Sequence, residues 1–248
     1  MILCVFEGPR ENNWFRPISR LFLKDEVIEY FIVEGTFQRL YNNLKNNDWD
    51  TLEALRDIES NRKEADKRLL GYHESDFSEV YLFFDYDPHA QQSIESLNTT
   101  LAEMLSFFDN ETGRGKMYIN YPMIEALRYT KQLPDNEFYK YVIPLDQCVN
   151  FKKLASNFSA YNNISFFAGG QSVSEDELMN NWHCLITQNV RKANYICTQE
   201  NVIPKEKSLI GQTIILEKQV ECYVNSENPC VSVLSSYPIF LFDYLRTL

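Results

Sequence analysis

Short apolar runs alternate with segments of helical periodicity through the first 145 residues, and this alternation limits the possible fold more than any other feature. Continuous apolar runs at residues 2–6, 27–33 and 80–84 predict strands that are covered on both faces. Apolar residues at helical spacing follow at 14–21 and, after the third run, at 94–108. Strands that alternate with helices are typical of a parallel sheet with right-handed crossovers. The sequence therefore predicts an α/β fold.

Further segments extend this pattern. Residues 117–119 and 139–145 predict a fourth and a fifth strand, separated by a short helix around residues 123–129. Residues 37–44 begin another helix, and the charged stretch at 50–67 either continues it or forms a helical insertion. The expectation is thus a parallel sheet flanked by helices.

The second half of the chain has a different character, because helical patterns dominate it. Ser174 and Glu177 form a capping box that opens a helix with an apolar face at residues 182–196. A further helix is predicted at 209–223, and the apolar segment 238–245 is expected to dock on the rest of the protein. The predicted units are a catalytic domain at residues 1–148 and a mainly helical region packed on it at residues 149–248.

The charge balance restricts the class of function. The chain has 248 residues, with 24 Lys and Arg against 35 Asp and Glu, which gives a formal net charge of −11. That sign is wrong for a protein that coats nucleic acid non-specifically. A nucleic-acid enzyme of this charge would bind weakly and with strong salt dependence, or would use a basic surface on a partner.

The sequence also predicts the compartment. No apolar run approaches the roughly 20 residues of a membrane helix, and the first residues lack the basic region of a signal peptide. The six cysteines include no C-x-x-C pair, which argues against a structural zinc site. We therefore expect a cytoplasmic protein with reduced thiols that does not enter membranes.

Acidic residues follow two of the predicted strands at the point where each strand ends. Glu7 and Glu11 come after the first strand, and Asp85 and Asp87 come at the end of the third. Ligands of an open parallel sheet bind beyond the carboxyl ends of its strands, so these side chains are expected to converge. Carboxylates that lie close repel each other unless a cation neutralises them. Oxygen ligands without His or Cys favour Mg²⁺ or Mn²⁺.

This joint pattern resembles the topoisomerase–primase (Toprim) domain, in which one strand ends in Glu-Gly and a later strand ends in Asp-x-Asp. The run Glu-Gly-Pro-Arg-Glu at 7–11 is most similar to the overcoming-lysogenisation-defect (OLD) nucleases and to Toprim proteins of bacterial abortive-infection and anti-phage systems. The resemblance covers roughly residues 1–145. It implies that Glu7 is a metal ligand or general base, that Asp85 and Asp87 hold Mg²⁺, and that Glu11 binds a second metal ion.

A second Glu-Gly pair, Glu34-Gly35, also follows a predicted strand and competes with Glu7 for this role. The Toprim arrangement places one further strand and helix between the glutamate strand and the Asp-x-Asp strand. That strand exists at 27–33 if Glu7 is the glutamate, whereas only helical sequence follows Glu34. Glu7 is therefore the preferred assignment.

Other residues are weaker candidates. Lys116, or Arg114 beside it, could stabilise the charge of a phosphoryl transition state, although a glycine turn with exposed charges explains the segment equally well. His89 could protonate a leaving group, or it could only cap a helix. Three further candidates for metal or phosphate contacts are Glu111, Glu125 and Arg10.

The leading hypothesis is a Mg²⁺-dependent nuclease that acts on DNA or RNA. The resemblance implies an effector of a bacterial anti-phage system that works beside a separate ATPase, since this chain has no G-x-x-x-x-G-K-[ST] loop. One alternative is another Asp-x-Asp enzyme, a phosphatase or a glycosyltransferase, although His89 stands where the phosphatase expects Thr or Val. Another alternative is a non-catalytic acidic interaction protein. The region at 149–248 is a plausible surface for homo-oligomerisation or for a partner.

Overall fold

A computed structural model describes residues 1–60, 62–63, 68–89, 93–170 and 172–245. The strands are β1 (Ile2–Phe6), β2 (Ile28–Ile32), β3 (Glu79–Asp85), β4 (Asp109–Asn110), β5 (Gly115–Asn120), β6 (Val142–Pro144) and β7 (Cys230–Ser232). The helices are α1 (Pro9–Phe22), α2 (Phe37–Asn46), α3 (Thr51–Ser60), α4 (Ile94–Phe107), α5 (Phe151–Phe158), α6 (Ser165–Ala168), α7 (Glu175–Thr198), α8 (Gln212–Gln219) and α9 (Ser236–Tyr244).

The main sheet has five strands in the order β2-β1-β3-β5-β4. The first four are parallel, and β4 pairs antiparallel with β5 at the edge. Every residue of β1 is buried, because helices cover both faces of the sheet centre. The carboxyl ends of β1, β3 and β5 meet at one edge, where Asp85 is the register partner of Asn120.

The α/β prediction is confirmed, and so are the strands expected near residues 2–6, 27–33, 80–84 and 117–119. The prediction that residues 139–145 form a fifth strand of this sheet is wrong. Only Val142–Pro144 is extended, and it pairs antiparallel with Cys230–Ser232 in a separate two-stranded sheet. The physical reason is that the outer edge of β5 is already paired with β4.

Two helical predictions need correction in detail. The helix expected at 123–129 is a 3-10 turn at Ile124–Arg128. The charged stretch at 50–67 forms a separate helix, α3, because Asp48 and Trp49 take left-handed backbone conformations that end the preceding segment. Positions 61 and 64–67 of that stretch lie outside the described residues.

The C-terminal helix α9 packs directly on the main sheet. The Phe240 ring lies 4.8 Å from the Tyr81 ring and 5.3 Å from the Phe83 ring, centroid to centroid, and it also contacts Phe15 and Tyr118. The apolar segment at 238–245 therefore docks as expected. One continuous core joins the residues on both sides of the boundary predicted near residue 148.

Ser174, the capping residue that the sequence predicts, is the N-cap of helix α7. The backbone N–H of Glu177 donates to Ser174 Oγ at 3.2 Å, which caps the 24-residue helix α7. All six cysteines are free thiols. None of the helices in the described ranges combines the length and apolar character needed to cross a bilayer.

The docking of α9 predicts a large loss of stability for Phe240→Ala. Removing a fully buried ring that contacts five other aromatic residues should lower the free energy of unfolding by about 3–5 kcal/mol. The measurement is urea denaturation followed by tryptophan fluorescence. The control Ile214→Ala, at a partly exposed position of α8, should change the free energy by less than about 1 kcal/mol. A similarly small effect of Phe240→Ala would mean that α9 does not help to stabilise the sheet.

Candidate functional site

The turn between β1 and α1 places Glu7 and Glu11 next to each other. Gly8 is the N-cap of α1 and Pro9 its first residue, a position for which proline is well suited because its missing N–H would have no partner there. A Cβ atom on residue 8 would lie 2.9 Å from Glu11 Oε2. A larger residue at position 8 would therefore displace the Glu11 carboxylate, which folds back over the turn.

Glu7 and Asp85 are joined by a hydrogen bond across the neighbouring strands β1 and β3. The backbone N–H of Asp85 donates to Glu7 Oε2 at 3.1 Å. Asp85 in turn accepts a hydrogen bond at 3.0 Å from the side-chain amide of Asn120, at the end of β5. The Asn120 oxygen accepts from the backbone N–H of Ser236 at 2.9 Å, which fixes the orientation of the amide.

Asp87 lies just beyond the end of β3, where its backbone and its side chain both form hydrogen bonds with neighbouring backbone groups. Its N–H donates to the carbonyl of Pro122 at 3.0 Å, and its Oδ1 accepts from the backbone N–H of His89 at 3.2 Å. Between the two aspartates, Tyr86 is fully buried. Because alternate residues of an extended segment point to opposite sides, Asp85 and Asp87 share the side away from Tyr86.

Burial and mutual repulsion raise the pKa values of three of these carboxyl groups. The pKa of Glu7 is raised to about 8, chiefly by burial and also by the charges of Glu11 and Asp87, against the opposing effect of the hydrogen bond from the Asp85 N–H. Burial, followed by the charges of Glu7 and Glu11, raises the pKa of Asp85 well above its ordinary value. The pKa of Glu11 is raised by burial and by the charge of Glu125. A bound cation would lower all three pKa values.

Glu125 belongs to the same group of carboxylates. It lies on the 3-10 turn Ile124–Arg128, and its side chain is completely buried. Its Oε1 accepts a hydrogen bond from the Arg10 guanidinium, whereas its Oε2 has no hydrogen-bond partner in the part of the chain that the structure describes. The weaker sequence candidates Glu125 and Arg10 therefore both lie beside Glu11.

Lys116 does not lie with the carboxylates, so the role assigned to it from sequence is not supported by its position. It stands near the start of β5, four residues before Asn120, which corresponds to about 13 Å along the strand. Its Nζ pairs with Asp243 at 3.2 Å and with Glu111 at 4.0 Å. Glu111 thus lies at the opposite edge of the sheet as well. The Arg114 guanidinium lies 4.4 Å from the centre of the Phe107 ring.

The competing glutamate, Glu34, is exposed and has a positive φ of 56°. Its backbone N–H donates to the carbonyl of Glu7 at 3.1 Å, so the ends of β1 and β2 lie side by side. The hydrogen bond to Asp85 is made by Glu7 and agrees with the choice of that residue over Glu34. His89 is exposed, and it is its backbone N–H that donates the hydrogen bond to Asp87 Oδ1.

Sequence reasoning missed three residues that help to build the site. Asn120 follows the fourth predicted strand directly, so the test that found Asp85 would also have found it. Lys152 on α5 lowers the pKa values of Glu7 and Glu11 by its charge. The hydroxyl of Tyr237 donates to the carbonyl of Glu11 at 2.6 Å. No local pattern marks Lys152 or Tyr237, because only the fold brings them here.

The donor set fits a hydrated divalent cation better than an enclosed metal cage. In the described ranges, no group of three or more His, Cys, Asp or Glu side chains is arranged to hold a metal ion. The carboxylate oxygens suit Mg²⁺ or Mn²⁺, and the buried Glu125 Oε2 has no partner. Mg²⁺ usually keeps several waters and binds through one or two carboxylates together with substrate phosphates. The one or two carboxylates that would hold it are drawn from Glu7, Glu11, Asp85, Asp87 and Glu125.

The raised pKa of Glu7 predicts that stability falls as pH rises. Its pKa is about 8 in the folded protein against an ordinary value of 4.5, so its stabilising contribution is complete below pH 4.5 and is lost as pH rises toward 8. This single group contributes a slope of at most about 1.4 kcal/mol per pH unit. Glu7→Gln should remove that slope in denaturant titrations at pH 5, 6.5 and 8. Glu34→Gln, the matched exposed change, should follow the wild type. Parallel curves for Glu7→Gln and wild type would contradict the assignment.

Comparison with known proteins adds no family to this geometry. No protein-family model matches the chain, and no match is found among curated proteins or solved structures. The likeness to Toprim domains therefore rests on the run at 7–11, the Asp85-x-Asp87 pair and their positions in the sheet.

Proposed function

We propose that this protein is a Mg²⁺-dependent nuclease that hydrolyses phosphodiester bonds in DNA or RNA. The observation that carries the proposal is the Glu7–Asp85 contact at the carboxyl edge of a parallel sheet, with Asp87, Glu11 and Glu125 beside it. The Toprim likeness is supported by the strand order, because β2 follows β1 in the chain and β1 then pairs with β3 in the sheet. A site of this kind would bind a divalent cation together with a phosphate.

The proposed roles follow from the environment of each side chain. Asp85, oriented by Asn120, and Asp87 would hold the metal ion, which would polarise the phosphodiester and activate water. The pKa of Glu7 is about 8 without a metal ion, and a bound cation would lower it, so that Glu7 would be ionised near neutral pH and able to act as a general base. The structure offers Lys152 and Arg10, in place of Lys116, as cations that could stabilise negative charge on the phosphoryl group.

A groove beside the site offers a path for a nucleic-acid backbone. It has a volume of about 490 Å³ and follows the edge strand β2. Its basic residues include Arg16, which lies 4.2 Å from the centre of the Tyr30 ring, and Arg68, whose side chain is 66% exposed. Arg62 donates to the carbonyl of Ile32 on the strand edge. The groove also contains Glu29, Glu34 and Glu59, so we propose that it binds nucleic acid weakly.

The biological setting of this proposal comes from the resemblance alone. It implies a cytoplasmic effector in bacterial anti-phage defence that works beside a separate ATPase. The chain contains no G-x-x-x-x-G-K-[ST] motif, so a P-loop ATPase step would belong to the partner. Self-association through the region at 149–248 is part of the same proposal.

The proposal predicts cleavage that depends on the metal ion and on the carboxylates. Pooled plasmid, linear DNA and tRNA would be incubated with wild type in Mg²⁺, Mn²⁺ or EDTA, with and without the ATPase partner. Glu7→Gln and Asp87→Asn should each lower the cleavage rate by at least about 100-fold, because each removes a group that acts on the reacting phosphate. Glu34→Gln and Lys116→Ala should stay within a few-fold of wild type. Cleavage that survives in EDTA or in both site variants would refute the assignment.

The groove proposal predicts a salt-dependent loss of affinity. Arg16→Gln combined with Arg68→Gln should weaken binding of a single-stranded oligonucleotide in EDTA, and should reduce the slope of log K against log salt by about 1.5, since two phosphate contacts are removed. Fluorescence anisotropy measures both quantities. The control pair Lys140→Gln and Lys205→Gln makes the same charge change outside the groove and should leave the slope unchanged. Equal effects of the two pairs would show that only net charge matters.

A further inference from the structure

Arg10 makes an unequal ion pair with Glu125. The Arg10 side chain is 50% exposed, whereas the Glu125 side chain is 0% exposed. The Arg10 guanidinium donates to Glu125 Oε1, and the other carboxylate oxygen has no hydrogen-bond partner. A half-exposed cation is therefore bound to a buried anion through one of its two oxygens.

A second buried glutamate shows what a purely structural arrangement looks like in this chain. Glu59 is 1% exposed, and both of its oxygens accept backbone N–H groups, from Arg68 and Leu69, each at 2.7 Å. Such complete pairing is the ordinary condition of a buried carboxylate. Glu125 departs from it, because its buried Oε2 has no hydrogen-bond partner among the described residues.

The surroundings of Glu125 hold several charges close together. The charge of Glu125 raises the pKa of Glu11. Arg128 lies on the same turn as Glu125, and its charge interacts with those of Glu125 and Arg10. Two guanidinium groups thus share this corner with two carboxylates. Because like charges repel, the attachment of Arg10 is opposed by Arg128.

We infer that Arg10 is an internal counter-cation that competes with the divalent metal ion for Glu125. A second metal ion held at Glu11 and Glu125, beside the one at Asp85 and Asp87, would displace the Arg10 guanidinium from Glu125 toward solvent. This inference rests on the metal site of the proposed function. It adds that the site exchanges one cation for another.

The exchange has a physical reason. A buried carboxylate that loses its only partner costs several kcal/mol, so Glu125 needs a cation at all times. Arg10 supplies one before the metal ion arrives. The half-exposed position of Arg10 allows it to leave without crossing the core. Once released, its guanidinium can form paired hydrogen bonds with a phosphate, a geometry that suits arginine.

Calorimetric titration with Mn²⁺ alone, at pH 8 and without nucleic acid, tests the inference independently of activity. Arg10→Gln should tighten Mn²⁺ binding about 10-fold, because it removes the competing cation. Lys140→Gln is the matched control: it makes the same charge change at an exposed lysine that pairs with Glu137, and it should change binding by less than about 2-fold. In a Glu125→Gln background, Arg10→Gln should lose its extra effect. Circular dichroism checks that each variant is folded, and Arg10→Lys, with a smaller gain expected, replaces Arg10→Gln if the latter does not fold.

The outcomes separate this inference from the proposed function. If wild type binds Mn²⁺ and Arg10→Gln binds it no more tightly than Lys140→Gln does, the competition is refuted and the metal site stands. An equal gain from Arg10→Gln in the presence and absence of Glu125 also refutes it. If neither wild type nor Arg10→Gln binds Mn²⁺, the metal site fails, and the inference fails with it. Binding by Arg10→Gln but not by wild type would support both.

Discussion

The parallel pairing of β1 with β3 is the constraint on which the rest of this structure depends. In parallel strands the backbone directions agree, so the residues that follow β1 and those that end β3 must emerge at the same edge. Glu7 and Asp85 are thereby forced together, although 78 positions separate them in the chain. The buried strands stabilise the folded state. The acidic edge lowers that stability at neutral and higher pH, because ionised carboxylates are held close together in a partly buried place.

The distant half of the chain contributes to the geometry of this edge. Ser236 orients the Asn120 amide that holds Asp85, and Tyr237 anchors the carbonyl of Glu11. Both residues belong to the start of α9, and the same helix inserts Phe240 among the rings of the sheet. The segment thus packs the core and also orders the polar residues above it. A change in α9 would disturb stability and site geometry together.

Local sequence patterns predicted the features that depend on neighbouring residues in the chain, namely strands, helices and the residues at strand ends. The apolar runs and helical spacings were sufficient for β1, β3 and α4, and the acidic residues at strand ends were sufficient for the Glu7–Asp85 edge. The position of Lys116 does not support its assigned role, because it stands near the start of β5, whereas Glu7 and Asp85 stand where their strands end. Lys152 and Tyr237 could not be found, since their place depends on how helices of the second half pack. The Toprim likeness, the metal ion and the nuclease activity remain predictions.

The dependence of the carboxylate edge on α9 has a consequence for synthesis. Chains emerge from the ribosome with the N-terminal part first. A nascent chain that has exposed Glu7, Asp85 and Asn120 still lacks Ser236, which lies 116 positions after Asn120. The Asp85 carboxylate would therefore not be oriented until translation has passed α9. For a nuclease of the kind proposed, this order would delay assembly of the carboxylate edge until α9 has been synthesised.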